Sequence, residues 1–475
     1  MLLIKKTERQ LCCLLLSAEL VLLILTGCPT SLPNYNSPIF TTDLPATSSI
    51  NINTELSLTV ATSDADVDDT VTYEWQETSD AGLTFSTVSG HTEKTYIFKK
   101  EAAGTYKVKV VATDTHALST SSTVCTVTVT TPTQLMGGAI QGHPLSLSTV
   151  VSTLAGTAGN YGSSDGSGAA ASFYRPVGLT TDGTNLYVAE HGNNIIRKVV
   201  ISTGVVTTLA GTAGYSGSDD ATGSAARFSY PYSITTDGTN LYVADTLNCT
   251  IRKIVIASGV VTTLAGIAGS SGSADGTGSA ASFSTPGGIT TDGTNLYVAD
   301  SNNNTIRKIV IASGVVTTLA GTAGSSGFND GTGSAARFDC PFGITIDGIN
   351  LYVGEYNNNT IRKIVIASGV VTTLAGTAGS SGSVDGIGST ARFNAPLCLT
   401  TDGINLYVAD TGNNTVRKIG IASGVVTTLA GTAGSSGSAD GTGTAARFNQ
   451  PAGITTDGNV LCLGEFVNYT IRMIQ

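Results

Sequence analysis

The segment GVVTTLAGTAGSSG stands at residues 314–327, 369–382 and 424–437, with close variants at 204–217 and 259–272, always 55 residues apart. A looser copy, TVVSTLAGTAGNYG, opens at Thr149. A fixed period of this length specifies an array of one supersecondary unit, each copy burying its apolar face against the next. Read from Pro286, one unit holds four short runs, GGITTD, LYVAD, IRKIVI and VVTTLAG, rich in β-branched residues. Between them lie Gly293-Thr294-Asn295, the stretch SNNNT and Ala312-Ser313-Gly314, the residue types that tight hairpin turns require. Each unit therefore predicts a four-stranded antiparallel meander.

Four strands per unit, repeated radially, make the blades of a β-propeller. The units begin at Pro176, Pro231, Pro286, Pro341, Pro396 and Pro451, which predicts an all-β, six-bladed propeller over 149–475. The last unit stops at Gln475 after its third run, while VVSTLAG at 150–156 belongs to no unit. Pairing that surplus strand with the last blade would complete the ring and leave no open sheet edge.

The remainder divides by composition. Residues 1–27 combine Lys5, Lys6 and Arg9 with an apolar run from Leu11 to Leu25, the pattern of a targeting segment. Residues 28–48, rich in Pro, Ser and Thr, read as an extended tether. Residues 49–131 carry alternating β-type runs such as VTYEWQ and GTYKVKVVATD, expected to form a β-sandwich with Trp75 as its core aromatic. Residues 132–148 are a linker.

Three resemblances attach to these residues. Leu25-Thr26-Gly27-Cys28 resembles the lipobox of bacterial lipoproteins, which implies lipidation of Cys28 and a place at the outer membrane or cell surface. Residues 49–131 resemble bacterial Ig-like or PKD-type domains. The repeat, with its P-x-G-I start, LYVAD, N-x-x-I-R-K-I, T-L-A-G and Gly-rich crossover, resembles the NHL repeat. Proteins of that fold are mostly binding scaffolds, with a minority of lactonases and lyases.

The net charge of -10 and the lack of a basic stripe exclude a nucleic-acid partner. The five Cys after Cys28 share no spacing, so no disulfide framework or CxxC metal site is expected. Features common to every unit are expected to serve folding. They include the TDG aspartates, such as Asp292, as turn residues. They also include the strand-two acid, Asn and Arg (Asp300, Asn303 and Arg307 in one unit) as a turn-bracing network. The crossover aspartates, such as Asp275, read as caps on a short helical turn.

Differences between units carry more information. The crossover and the loop between strands two and three share one face of a propeller. On that face stand Arg175, His191, Tyr230, Tyr232, Phe342, Tyr356, Phe466 and Tyr469, residue types that anchor ligands at interfaces. The expected function is a lipid-anchored, extracytoplasmic binding or scaffold protein, a monomer, taking a protein or glycan on this face. Two alternatives stand beside it: a hydrolase or lyase working in the central channel, and a structural envelope protein. The innermost strands offer few ionisable groups and the repeats a single His, so three-His zinc is excluded, and His191 beside Glu190 is the lone acid–base pair. No cofactor is expected beyond a structural Ca²⁺, for which Asp64, Asp66, Asp68 and Asp69 supply alternating carboxylates.

Overall fold

The computed structural model describes residues 36–51, 56–66, 69–78, 84–100, 104–130, 134–135, 139–140 and 144–475. The targeting segment, Cys28 and Asp68 lie outside them. The chain separates into two compact units, Met1–Val129 and Thr130–Gln475.

In the first unit, strands Thr47–Asn51, Cys125–Thr130, Gly104–Thr113, Thr72–Thr78 and Ser86–Thr87 lie in that order in one sheet. Leu56–Thr59 pairs with Thr95–Phe98, and Ile39–Thr42 with Ala61–Ser63. Alternation along Thr72–Thr78 turns Tyr73 and Trp75 inward. Trp75 is fully buried among Phe98, Val108, Val110 and Val127, and its indole N–H donates to the Glu93 carbonyl at 2.9 Å. Part of the expected tether is strand: Ile39–Thr42 is paired, and Leu44 is buried in this core. The short run IFTT is a β-type sequence that its Pro- and Ser-rich flanks conceal.

In the second unit the four runs of each repeat form four antiparallel strands, in chain order from the centre outward. In the repeat from Pro286 these are Pro286–Thr291, Asn295–Asp300, Thr305–Val310 and Val315–Gly321. The described residues hold six such sheets, repeated as in a β-propeller, most with a two-residue edge strand from the incoming crossover. The surplus strand Val150–Ala155 pairs antiparallel with Thr470–Ile474, Val151 opposite Ile474, and becomes the outer strand of the last sheet. The innermost strands neighbour one another in a closed ring, Pro451–Thr456 beside Pro176–Thr181. Small residues permit that approach: a Cβ on Gly288 would stand 2.1 Å from the Phe342 carbonyl, and one on Gly453 1.8 Å from that of Val177. The ring is therefore tight.

Between sheets the core is layered. Tyr297, Ala299 and Ile306 of one sheet pack with Ala336 and Phe338 of the next crossover and Ile344 and Leu351 of the next sheet. Equivalent interfaces repeat around the ring.

Candidate ligand-binding face

The repeated polar residues form one network per sheet. Asp300 and Arg307 are fully buried, and Arg307 Nη1 meets Asp300 Oδ2 at 2.9 Å. Asn303 Nδ2 donates to the same carboxylate at 2.7 Å and to the Gly272 carbonyl at 2.7 Å. Arg307 also donates to the carbonyls of Ser282 and Ala274, and stacks 5.2 Å from the Phe283 ring centroid. Gly272, Ala274, Ser282 and Phe283 all belong to the incoming crossover, so the network clamps that crossover onto its sheet. Burial pushes the Asp300 pKa up to about 6, while Asn303, the Ser284 N–H and Arg307 pull it down.

The crossover aspartates do something other than expected. The 3₁₀ turns that follow them, such as Gly278–Ala280, have no side-chain cap. Asp275 instead takes Arg307 Nη2 at 2.8 Å and the Thr318 backbone N–H at 3.1 Å. The Arg fork, with donors on two sides, outcompetes the single N–H groups of a one-turn helix. The TDG aspartates are turn residues. Asp292 Oδ1 accepts from the Thr294 and Asn295 backbone N–H groups, and Oδ2 from the Tyr297 hydroxyl at 2.9 Å.

A second link joins neighbouring sheets. After each conserved-in-place Asn comes a left-handed residue, and the Oδ1 of Asn304 (φ +57°) accepts the Cys340 backbone N–H at 2.9 Å. Asn194, Asn359 and Asn414 latch Tyr230, Ala395 and Gln450 in the same way. Cys249 and Tyr469 occupy this position in the other two sheets and supply no such acceptor. The latched residues, and Arg175 and Thr285, all have φ between +52° and +55°. Six non-glycine residues are thus held in strained backbone around the mouth of the ring.

At that mouth the predicted residues converge. The His191 ring lies 4.7 Å from Tyr230, 5.5 Å from Tyr232 and 5.9 Å from Phe466 between centroids. Tyr232 meets Phe342 edge-on at 4.5 Å. The Arg175 guanidinium stacks 4.9 Å from Phe466 and 5.3 Å from Tyr174. Val177, Leu397 and Ala452 form the buried floor beneath Tyr232, Phe342 and Phe466. Tyr469 joins through Tyr174 at 5.6 Å. Tyr356 is exposed and is the one predicted residue that no ring contact joins to the others. Its backbone N–H donates at 3.1 Å to the carbonyl of Cys340, one of the six strained positions of the rim.

Sequence reasoning passed over Tyr161 and Tyr174. Tyr161 is 65% exposed and packs 5.1 Å from Tyr174 and 5.8 Å from Tyr469. The signal was available: at these two places the other repeats carry Ser, Asp or Asn.

His191 and Glu190 do not form an acid–base pair. Glu190 is fully buried on Arg197, Asn193 and the Tyr174 N–H, whereas His191 Nδ1 is buried with no partner. Burial, then the nearby Arg175 charge, lowers the His191 pKa to about 4, so the ring is neutral at pH 7. The channel behind the face is a cavity of about 30 Å³ with Leu179, Ile234, Ile289, Ile344, Leu399 and Ile454 among its lining, and the lining contains no acid, His or Lys. The hydroxyls of Thr180 and Thr235 are buried in these same strands without partners.

In the first unit Asp64, Asp66 and Asp69 gather with their carboxylate oxygens within 4.8 Å of one another. Asp69 also meets Asp114 and His116, two residues the sequence reading left out. His116 Nδ1 lies 2.8 Å from Asp69 Oδ2, and Thr115 donates to Asp69 Oδ1. Asp114 is 6% exposed; its Oδ1 takes two backbone N–H groups and its Oδ2 has no partner. The five described Cys with resolved placement, Cys125, Cys249, Cys340, Cys398 and Cys462, are all free thiols.

No protein-family model matches the chain. It is 29% identical over 296 residues to NHL repeat-containing protein 2 of Bos taurus, covering 55% of this chain and 41% of that protein. It is 31% identical over 289 residues to Protein SUPPRESSOR OF QUENCHING 1, chloroplastic, of Arabidopsis thaliana, covering 57% of this chain and 27% of that protein. The chain thus spans less than half the length of these curated relatives. Among solved structures, a Bacteroides thetaiotaomicron protein of unknown function superposes with a TM-score of 0.56 at 20% identity, over 94% of this chain and 99% of that one. An auxiliary nutrient binding protein from the same species superposes with a TM-score of 0.53 at 18% identity, over 93% and 98%. These structural likenesses speak to fold alone. Together with the sequence relatives they support an NHL-type β-propeller for the repeat array.

Proposed function

We propose that this chain is an extracytoplasmic binding protein, anchored by a lipid on Cys28. Its six-bladed propeller, closed by the strand at 150–156 and carried on an Ig-like spacer, takes a protein or glycan ligand on the crossover face. The observation that carries this reading is convergence. Residues that depart from the repeat at separate points of the sequence, Arg175, His191, Tyr230, Tyr232, Phe342 and Phe466, meet in one aromatic patch at the mouth of the ring. Drift without a role has no reason to collect aromatic residues in one place. The solved neighbour called an auxiliary nutrient binding protein is consistent with a surface-displayed binder. The test uses the immobilised full chain against arrays of purified polysaccharides and extracellular proteins. The combined Tyr230→Ala, Phe342→Ala and Tyr356→Ala variant should lose what the parent binds; a variant that keeps its ligand overturns the assignment of this face.

A second reading concerns the first unit. Two buried, unpartnered oxygens, Asp114 Oδ2 and Asp64 Oδ2, each in a cluster that includes Asp69, favour a bound divalent cation such as Ca²⁺, with a stiffening role. Asp69 would hold it by oxygen, together with Asp114 on one side or Asp64 and Asp66 on the other. The check is the melting temperature with Ca²⁺ and with a chelator: a rise of several degrees on adding Ca²⁺, lost in Asp114→Asn, is expected. Identical melting in both buffers would remove the cation from the account.

A further inference from the structure

The crossover patch carries a charge that the fold leaves unspent. The strand-three arginines, Arg307 and its counterparts, each pair with two carboxylates. The crossover arginines, such as Arg337, are used on backbone carbonyls. Arg175 has neither: among the described residues it meets aromatic faces alone, Tyr174 and Phe466, and no carboxylate pairs with it. It stands at one of the six strained positions around the mouth, beside a His191 that stays neutral at pH 7. The carboxylate facing it across the strand pair, Glu190 opposite Pro176, is fully buried and already paired with Arg197. A stacked, half-exposed guanidinium with free donors fits a carboxylate in a two-point fork.

The surroundings select what carries that carboxylate. Tyr161, packed on the Tyr174 ring that Arg175 also meets, and Tyr230, packed on His191, are both exposed, and the central cavity, at about 30 Å³, is too small to admit a peptide side chain as an anchor. A shallow aromatic surface without a pocket suits the flat C–H face of a sugar ring, and Tyr adds a hydroxyl for its edge. We propose that the ligand of this face is an acidic saccharide, its carboxylate held by Arg175 and its ring resting on the tyrosines. This rests on the binding face argued above and names the chemistry it reads.

The repeats supply substitutions that this backbone tolerates: Gln450 and Ala395 occupy the positions equivalent to Arg175 and Tyr230 at the same positive φ. The experiment titrates the full chain with tetragalacturonic acid and with its methyl ester, which keeps the ring and removes the charge. The parent should prefer the acid by about tenfold or more, the scale of a charge-assisted fork. Arg175→Gln should bring the two within about twofold, chiefly by weakening the acid. Arg175→Lys should restore part of the preference, and Tyr230→Ala should weaken both sugars. Equal binding of acid and ester by the parent, or an undiminished preference in Arg175→Gln, overturns the proposal and leaves a face that binds neutral glycans. Binding of neither sugar also overturns it, and the broader reading then stands or falls on the array experiment.

Discussion

The strand-three networks and the aromatic patch lie within a few residues of each other in sequence, yet they obey opposite rules. The acid (Asp300, or Glu in three sheets), Asn303 and Arg307 recur in every sheet with matching partners, and of the cluster's buried side-chain atoms only the Arg Nε lacks one. One residue beyond the same acid, the chain writes His191, Thr246, Ser301, Tyr356, Thr411 and Phe466 in turn. Repetition marks what the fold needs at every blade. Variation at a strained, half-exposed rim marks where the fold no longer dictates the residue, so that ligand chemistry can. The latch separates the two regimes, since Cys249 and Tyr469 lack it, and Tyr469 stands inside the patch.

The largest break in this comparison comes from removing the cation of one network. Arg307→Ala leaves Asp300 ionised or protonated in a dry site with its main partner gone, and uncouples the incoming crossover. Breaking one side of a buried pair costs about 3–5 kcal/mol, so urea unfolding should lose stability on that scale. A loss below about 1 kcal/mol would mean that the clamp is redundant with the apolar layers.

The latch provides a smaller and sharper test. Asn304→Ala removes an acceptor from the Cys340 N–H and puts Ala into left-handed backbone, and should cost about 1–2 kcal/mol. The reverse change, Cys249→Asn at φ +57°, supplies the missing acceptor for the Thr285 N–H and should stabilise by up to about 1 kcal/mol. If Tyr469→Asn stabilises the protein but weakens binding, the seam between the last and first sheets has given up stability for its ligand.

Acidity separates the carboxylates themselves. Burial alone would raise Asp182, Asp237, Asp292 and Asp347, but Asn, backbone and Tyr donors together outweigh it and hold them below their ordinary value of 3.8. A lowered folded pKa contributes stability above the unfolded value, lost as pH falls through the folded one. Asp245, Asp300 and Asp410 are raised by burial to about 6, and Glu190 to about 7. A raised folded pKa contributes stability that is complete below the unfolded value and lost as pH rises through about 6 to 7. The melting temperature should therefore be highest near pH 4, falling as pH drops below it and as pH rises through about 6 to 7. A flat profile from pH 4 to 8 would show that the arginines cancel the burial of those acids.

Much of this molecule is legible in its letters because its forces are local and repeated. The hairpin turns, the alternating strands and the surplus strand at 150–156 each follow from period and turn chemistry, and the strand does pair with Thr470–Ile474. The Asp292 turn and the Asp300–Asn303–Arg307 cluster follow from spacing within one unit. Asp275 was misread as a cap because its partner, Arg307, lies 32 positions away and meets it only once the crossover folds back. Tyr161 escaped notice for a similar reason, since it enters the patch from a crossover far in sequence from Tyr469. Asp114 and His116 meet Asp69 across the ends of paired strands, Thr72 opposite Thr113, a proximity no linear spacing announces.

The smallest expected effect carries the most discriminating power. Arg175→Gln and Tyr230→Ala alter half-exposed side chains whose backbone strain other repeats bear with Gln450 and Ala395. Among the described residues neither makes a side-chain hydrogen bond or ion pair, and their losses are ring contacts at a rim. Both should unfold within about 0.5 kcal/mol of the parent. That near-silence is what distinguishes a residue kept for a ligand from one kept for the fold. If either variant instead loses as much as Arg307→Ala, the patch is a structural plug over the ring, and the division between repeated scaffold and variable binding face dissolves at this point.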